Sequence, residues 1–595
     1  MQSSQNQIRN FSIIAHIDHG KTTLTDQFLR VTRTVASKDL KERMMDSNPI
    51  EQERGVTIKL APVAMNYQNY QLNLIDTPGH VDFGYEVSRS LQACEGALLL
   101  VDASQGVQAQ TLANFEKAKQ LGLVVIPVVN KIDLPSADIE STMLEMIDTF
   151  NLQDHNILRC SAKTGEGVEQ VLDTVIERVP APSGSRQANL QGLIITSKYD
   201  NHQGAIAYTR IINGVLKNND KLHLINTDAD FQPSEIGIFT PGAQPANELK
   251  AGEVGYVATG LKNIELLKIG DTITHQDKKR RAAALPGFKE PTPMVFMELY
   301  PINNDQFQDL LEAMDKLHLH DAALQYQPTH SQALGNGLRV GFLGIFHAEV
   351  VRERLGREFD LDLIATAPSV KYHLTTSSNQ QQIVETPADL PNPSQIKEIR
   401  EPITKTTIFA PVEYLPDIIE FARKRRGKLL DSINNGSRAR LEYELPLSEL
   451  IVDFHDKLKS LTSGFASLEY EVIEYRPVDA VKVDILVNKE PVEALSFISL
   501  RNNAEYRGRN LVEKLKDVIP RQLFEVPIQA AIGGKIIARE NVKAYRKDVT
   551  AKLYGGDRTR RMKLLKQQSE GKKRLKKFGE VELNQDAFLA VLESD

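Results

Sequence analysis

The run Ala15-His16-Ile17-Asp18-His19-Gly20-Lys21-Thr22 holds residue types suited to gripping a polyphosphate. It follows the apolar stretch Phe11-Ser12-Ile13-Ile14, so it reads as a strand, a tight loop and a helix start. Successive main-chain N–H groups at a helix start converge on one point and favour an anion there. Gly20 lets the main chain come close, Lys21 supplies a point charge for the β and γ phosphates, and the Thr22 hydroxyl can ligate Mg²⁺. His19 and Thr23 flank these groups. Asp18 reads either as part of the phosphate loop or as a cap for the following helix.

Four further segments follow in a fixed order. Asp76-Thr77-Pro78-Gly79-His80 comes after the alternating strand Leu72-Asn73-Leu74-Ile75. A carboxylate at that strand end can hold Mg²⁺ through water, and the Gly79 N–H can meet a γ phosphate. Asn130-Lys131-Ile132-Asp133 comes after the buried-strand run at residues 124–129. Asp133 can accept two hydrogen bonds from guanine N1–H and its exocyclic amine, a pair adenine does not present. Ser161-Ala162-Lys163 offers N–H groups near the guanine carbonyl and a lysine stem along the ring. Arg54-Gly55-Val56-Thr57-Ile58, after a polar stretch at residues 46–53, is expected to be mobile until a ligand orders it, with Thr57 as the second hydroxyl for Mg²⁺. The five segments together imply a GTP/GDP site. His16 and His19 read as packing residues of the loop, and His80 alone would be a surface histidine.

These groups need a parallel sheet to position them, and the chain is long enough for several further domains. At 595 residues with 41% apolar and 25% charged residues, four or five cores are expected. Residues 1–183 read as an α/β P-loop GTPase domain, closed by the Pro/Ser/Gly linker at 180–185. Residues 187–284, with short β-type runs and Asn/Gly turns, read as a β-barrel. Residues 290–371 and 401–478 each mix strands and helices as an α+β ferredoxin-like sandwich. The Gln/Asn/Pro-rich stretch between them, 372–400, reads as a linker. Residues 479–595 form a basic C-terminal α+β domain.

Cys94 and Cys160 lie far apart and point to neither a disulfide framework nor a thiolate metal site, which fits a reducing cytosol. The short polar start leaves no room for a targeting peptide. No apolar run is long enough to span a bilayer, so a membrane contact has to be peripheral. Charge is distributed unevenly. Residues 535–580 carry 16 Lys/Arg against 5 Asp/Glu, a net +11, leaving −17 on the rest of a chain whose sum is −6. Arg558, Arg560, Arg561, Lys563, Lys566, Lys572, Lys573, Arg574, Lys576 and Lys577 crowd one stretch, the footprint of an RNA partner. A solvated helix face is the alternative.

The phosphate loop and the histidine after Asp76-Thr77-Pro78-Gly79 resemble those of the translational GTPases. That resemblance implies that His80 aligns the attacking water, restrained by Ile17 and Val56 until a ribosome docks. Arg521-Gln522-Leu523-Phe524-Glu525-Val526-Pro527-Ile528 and Tyr554-Gly555-Gly556-Asp557, followed by the basic run, resemble the tail of the elongation factor 4 (LepA) branch. The branch lacks the domain that enters the decoding site, as this chain does. The resemblance implies a ribosome-stimulated GTPase working on ribosomal RNA of both subunits and on tRNA, promoting back-translocation, with no stable homo-oligomer. It also implies a cytoplasmic protein with a peripheral pool on the inner face of the membrane. A GTP-switched ribosome-assembly or RNA-binding factor is the other reading.

Overall fold

The computed structural model describes residues 5–35, 43–45, 49–54, 57–153, 156–200, 202–263, 266–287, 291–318, 321, 323–331, 334–435, 438–451, 453–522, 524–545 and 562. Ten basic residues of the expected RNA-binding run, from Arg558 to Lys577, and the Tyr554-Gly555-Gly556-Asp557 motif lie outside them.

Six strands, β1 (Ile8–Ala15), β2 (Ala61–Tyr67), β3 (Tyr70–Asp76), β4 (Gly96–Asp102), β5 (Val124–Asn130) and β6 (Leu158–Arg159), form one sheet in the order β2-β3-β1-β4-β5-β6. All neighbours run parallel except β2 against β3. A parallel sheet is covered on both faces, so its strands are apolar throughout, and every residue of β4 is buried. Ile13 and Leu98 face α1 (Lys21–Val31) and α6 (Val168–Arg178) in one core. Ile14 and Leu99 face α3 (Gly84–Gln92), α4 (Ala109–Gln120) and α5 (Ile139–Phe150) in another. The phosphate loop leaves β1 where strand order reverses, the place where open α/β sheets bind ligands.

Residues 191–275 form an antiparallel sheet of eight strands around one core that includes Ile194, Ala207, Leu222, Ile236, Val257 and Ile273. Arg210 ties it to the GTPase-type domain through Glu95. The first sandwich carries α7 (Phe307–His318) and α8 (Ile345–Phe359) on the sheet built around Val295–Pro301. The second carries α9 (Leu415–Lys424), α10 (Leu447–Leu450) and α11 (Phe454–Leu461) on the sheet built around Ile396–Pro411. Both sandwiches share one continuous core. In the last module α12 (Arg501–Val518) buries Ala504, Gly508, Leu511 and Leu515 against its sheet, the spacing of one helix face.

The expected linker at 372–400 is not a loop. Tyr372–Thr376 and Gln381–Val384 pair as a hairpin, and Tyr372–Thr376 extends the second sandwich's sheet along Ile396–Pro411. Its polar composition hides a period of two: Tyr372, Leu374 and Thr376 are buried, while the intervening His373 stacks on Tyr475 with centroids 3.8 Å apart. A second difference lies in the polar stretch before Gly55, read from its sequence as a loop. Residues Pro49–Arg54 form helix α2, and Arg54 pairs with Glu349 and Glu353 of α8.

Candidate functional site

The loop after β1 is built on two left-handed residues, Asp18 (φ 62°) and Gly20 (φ 92°). Asp tolerates that region, whereas Gly20 is also confined by space. A Cβ on Gly20 would lie 2.5 Å from Asn130 Nδ2. Gly20 caps α1 without a side-chain bond, so Asp18 does not cap the helix; it stands exposed in the loop.

One cleft is lined by Asp18, Gly20, Lys21, Thr22, Thr23, Thr57, Gly79 and Lys131, together with His16, Ile17 and Arg43. Lys21 is buried, and its ammonium makes no hydrogen bond among the described residues; its partner is the Asp76 carboxylate at 3.6 Å. Asp76 itself is fully buried at the end of β3. An ammonium without a hydrogen-bond acceptor beside a helix start, with two hydroxyls near it, is a donor set that fits a polyphosphate and its cation. Thr57 is held in place by Glu51, whose Oε1 accepts the N–H groups of Ile58 (2.9 Å) and Lys59 (3.1 Å). Arg43 enters the cleft from a segment whose polar composition carried no signal; its N–H donates to Asp26 at 2.8 Å.

Asn130, expected at the nucleotide, directs its side chain to the protein. Nδ2 donates to the His19 main-chain oxygen at 2.9 Å and Oδ1 accepts the Ala162 N–H at 2.9 Å. It thereby locks the loop after β5, the loop at 161–163 and the phosphate loop together. Lys131, in a left-handed conformation, reaches the buried Asp102 at 2.8 Å. Asp133 is exposed and, like Asn130 and residues 161–163, is not among the residues lining that cleft; one of its oxygens is held by the Ser161 hydroxyl at 2.7 Å. Ser161 and Ala162 are buried and Lys163 is exposed. The His19 ring points into the sheet: it is fully buried against Leu100, and burial brings its pKa down to about 4. His16 bonds Gln110 at 2.6 Å and is held well below 6.5, chiefly by burial. Both histidines are neutral packing groups at pH 7.

His80 is absent from the cleft's lining. Its aromatic neighbours are Phe83 and Phe346 of α8; of the two apolar residues the resemblance pointed to, Ile17 lines the cleft. Val56 lies outside the described residues. Burial lowers the His80 pKa, Asp82 opposes that, and Lys459 of α11 adds to it. Asp82 also accepts the His347 N–H at 3.1 Å. The cysteines are both free and buried.

Residues 6–181 match the elongation factor Tu GTP binding domain, 204–274 match elongation factor Tu domain 2, and 398–486 match the elongation factor G C-terminus. Residues 487–593 match the C-terminus of the GTP-binding protein LepA. The chain belongs to the LepA family of translational GTPases. LepA-family membership makes this a GTP-hydrolysing enzyme of translation, binding GTP and GDP and working with the ribosome. A solved crystal structure from Thermus thermophilus shares the fold, with a TM-score of 0.55 at 17% identity over 80% of this chain and 97% of that one. Among the described residues of this LepA-family chain, no helix is long and apolar enough to cross a membrane.

Proposed function

We propose that the cleft at the β1 loop holds the triphosphate, that Asp133 reads the guanine edge, and that His80 aligns the water that attacks the γ phosphate. Lys21 and the loop N–H groups offset charge on the phosphates. Thr22 and Thr57 would hold Mg²⁺, with Asp76 acting through water; when bound, that cation neutralises charge developing on the β and γ oxygens. Asp18, His19, Thr23, Gly79, Asn130, Lys131, Ser161, Ala162 and Lys163 complete the nucleotide site, His19 and Asn130 by shaping it. The observation that carries this reading is the convergence of Lys21, Thr22, Thr57 and Gly79 on one cleft.

On the ribosome the enzyme acts in back-translocation of tRNA on mis-translocated or stalled particles, with the basic run from Arg558 to Lys577 facing RNA. It works in the cytoplasm as a monomer, with a peripheral membrane pool. His80→Ala is expected to keep GTP binding and to lose about a hundredfold or more of the ribosome-stimulated turnover; full turnover overturns the role of His80. Movement of tRNA in fully assembled post-translocation ribosomes tests the cellular role. No movement at saturating protein and GTP favours a ribosome-assembly factor instead.

A further inference from the structure

The His80 ring lies over Phe346 with centroids 4.3 Å apart and planes inclined by 27°. Its Nδ1 accepts the Asp82 N–H at 3.2 Å, which assigns the proton of the neutral ring to Nε2. Phe346 is the second residue of α8, so the partner of this histidine comes from the first sandwich domain and not from its own domain. A second anchor lies beside it. The Asp82 carboxylate accepts the His347 N–H in the first turn of α8, a favourable place for an anion. Gly344 makes room for it: a Cβ there would lie 2.1 Å from Asp82 Oδ1. The Phe346 ring also meets the Arg54 guanidinium at 5.5 Å, so α8 holds the segments on both sides of the cleft.

We propose that Phe346 is a positioning residue for hydrolysis: in the free protein it stacks His80 away from the cleft, and the histidine turns in when the first sandwich domain shifts and opens that stack. The proposal rests on His80 as the water-aligning residue. A paired aromatic contact of this kind changes the population of the turned-in ring by about two- to tenfold.

The test is single-turnover GTP hydrolysis by the full chain without ribosomes, alongside GDP affinity. Phe346→Ala is expected to raise the ribosome-free rate by about two- to tenfold at unchanged GDP affinity, and the rise vanishes when His80→Ala is added. Gly344→Ala, which displaces Asp82 from α8 and with it the adjoining His80 segment, opens the same stack without removing the Phe346 ring and raises the same rate. It decides the matter if Phe346→Ala loses GDP binding altogether. The His80 imidazole titration, followed by NMR, supplies a readout that a packing defect elsewhere does not move. Asp82 on its own segment, Lys459 and His455 on α11 and His16 in the phosphate loop are the groups facing it, and all remain in Phe346→Ala. The midpoint rises toward 6.5 as the ring meets solvent. An unchanged or slower ribosome-free rate with intact GDP affinity overturns the role of Phe346, as does a rise that survives His80→Ala. Full ribosome-stimulated turnover in His80→Ala alone is a different result, and defeats the reading of His80 itself.

Discussion

Asn130 and His19, 111 positions apart in sequence, are joined by a 2.9 Å bond from the asparagine amide to the histidine's main-chain oxygen. The amide's other end takes the Ala162 N–H, so one fully buried side chain fixes three loops around the cleft. Its energetic role follows from what remains when it is cut back: a buried carbonyl and a buried N–H without partners cost about 1–3 kcal/mol. Asn130→Ala should therefore weaken GDP binding by about tenfold or more, measured by calorimetry. Asn130→Asp keeps the acceptor and loses the donor, so its loss should be partial. Equal affinity in all three proteins would mean that the loops hold their positions without this bridge.

Gly20 predicts a sharper loss. Its φ of 92° disfavours any Cβ, and that Cβ would meet Asn130 Nδ2 at 2.5 Å. Gly20→Ala is expected to abolish measurable GTP binding while leaving the far-UV spectrum intact, because strain of about 1–3 kcal/mol and the lost bridge act on the loop and not on the sheet. Tight GTP binding by the variant would show that the loop has an alternative conformation.

The phosphate loop and the ends of β3 and β5 were legible because parallel strands announce themselves as apolar runs and glycine-lysine-threonine loops have few other uses. Four features were not legible, for three separate reasons. The hairpin inside 372–400 was masked by Gln and Asn, because burial of Tyr372 and Leu374 depends on a core supplied by distant residues. Helix α2 is too short to show a periodicity and is held by α8, about 300 positions downstream. The tie between Asn130 and the phosphate loop, and the stacking of His80 on Phe346, are pairings in space with no mark in the local pattern.

A buried ion pair in the same region makes stability depend on pH. His347 Nε2 lies 2.8 Å from Asp321 Oδ2. Burial works against charge on both groups, yet Asp321 raises the His347 pKa above 6.5, and His347 holds the Asp321 carboxyl well below its usual value. The histidine's contribution is complete below pH 6.5 and is lost as pH rises through its raised pKa; the aspartate's is complete above about 3.8 and is lost as pH falls through its depressed one. The pair thus stabilises most between about pH 4 and 6.5. Breaking it by Asp321→Asn should cost about 3–5 kcal/mol there, and the gap between denaturant melts of wild type and variant should narrow as pH rises through the raised His347 pKa. A difference that stays constant from pH 5 to 9 would show that His347 is neutral throughout.

Glu469 is a carboxyl shifted in the opposite direction from Asp321. It lies where the second sandwich meets α4, next to Ser467, whose hydroxyl oxygen accepts the Ala109 N–H at 2.8 Å. Its Oε2 has no hydrogen-bond partner among the described residues. Burial raises its pKa from 4.5 to about 7, with Lys117 opposing the shift and Asp82 and Glu471 reinforcing it. The folded protein therefore keeps a proton that the unfolded chain releases above pH 4.5, so stability falls as pH rises from 4.5 to 7 and is flat beyond. The side chain retains some contact with water, which reduces the penalty to about 1–2 kcal/mol. Glu469→Gln, which removes the ionisation and keeps the shape, should add that amount to the unfolding free energy at pH 8 and nothing at pH 4.5. Because the strand bearing Glu469 packs on α4, the same substitution should tighten the contact between the GTPase domain and the second sandwich. Slower amide exchange in α4 at pH 8 would register that tightening, whereas a gain in stability equal at both pH values would mean that the carboxyl has the same pKa in the folded and unfolded states.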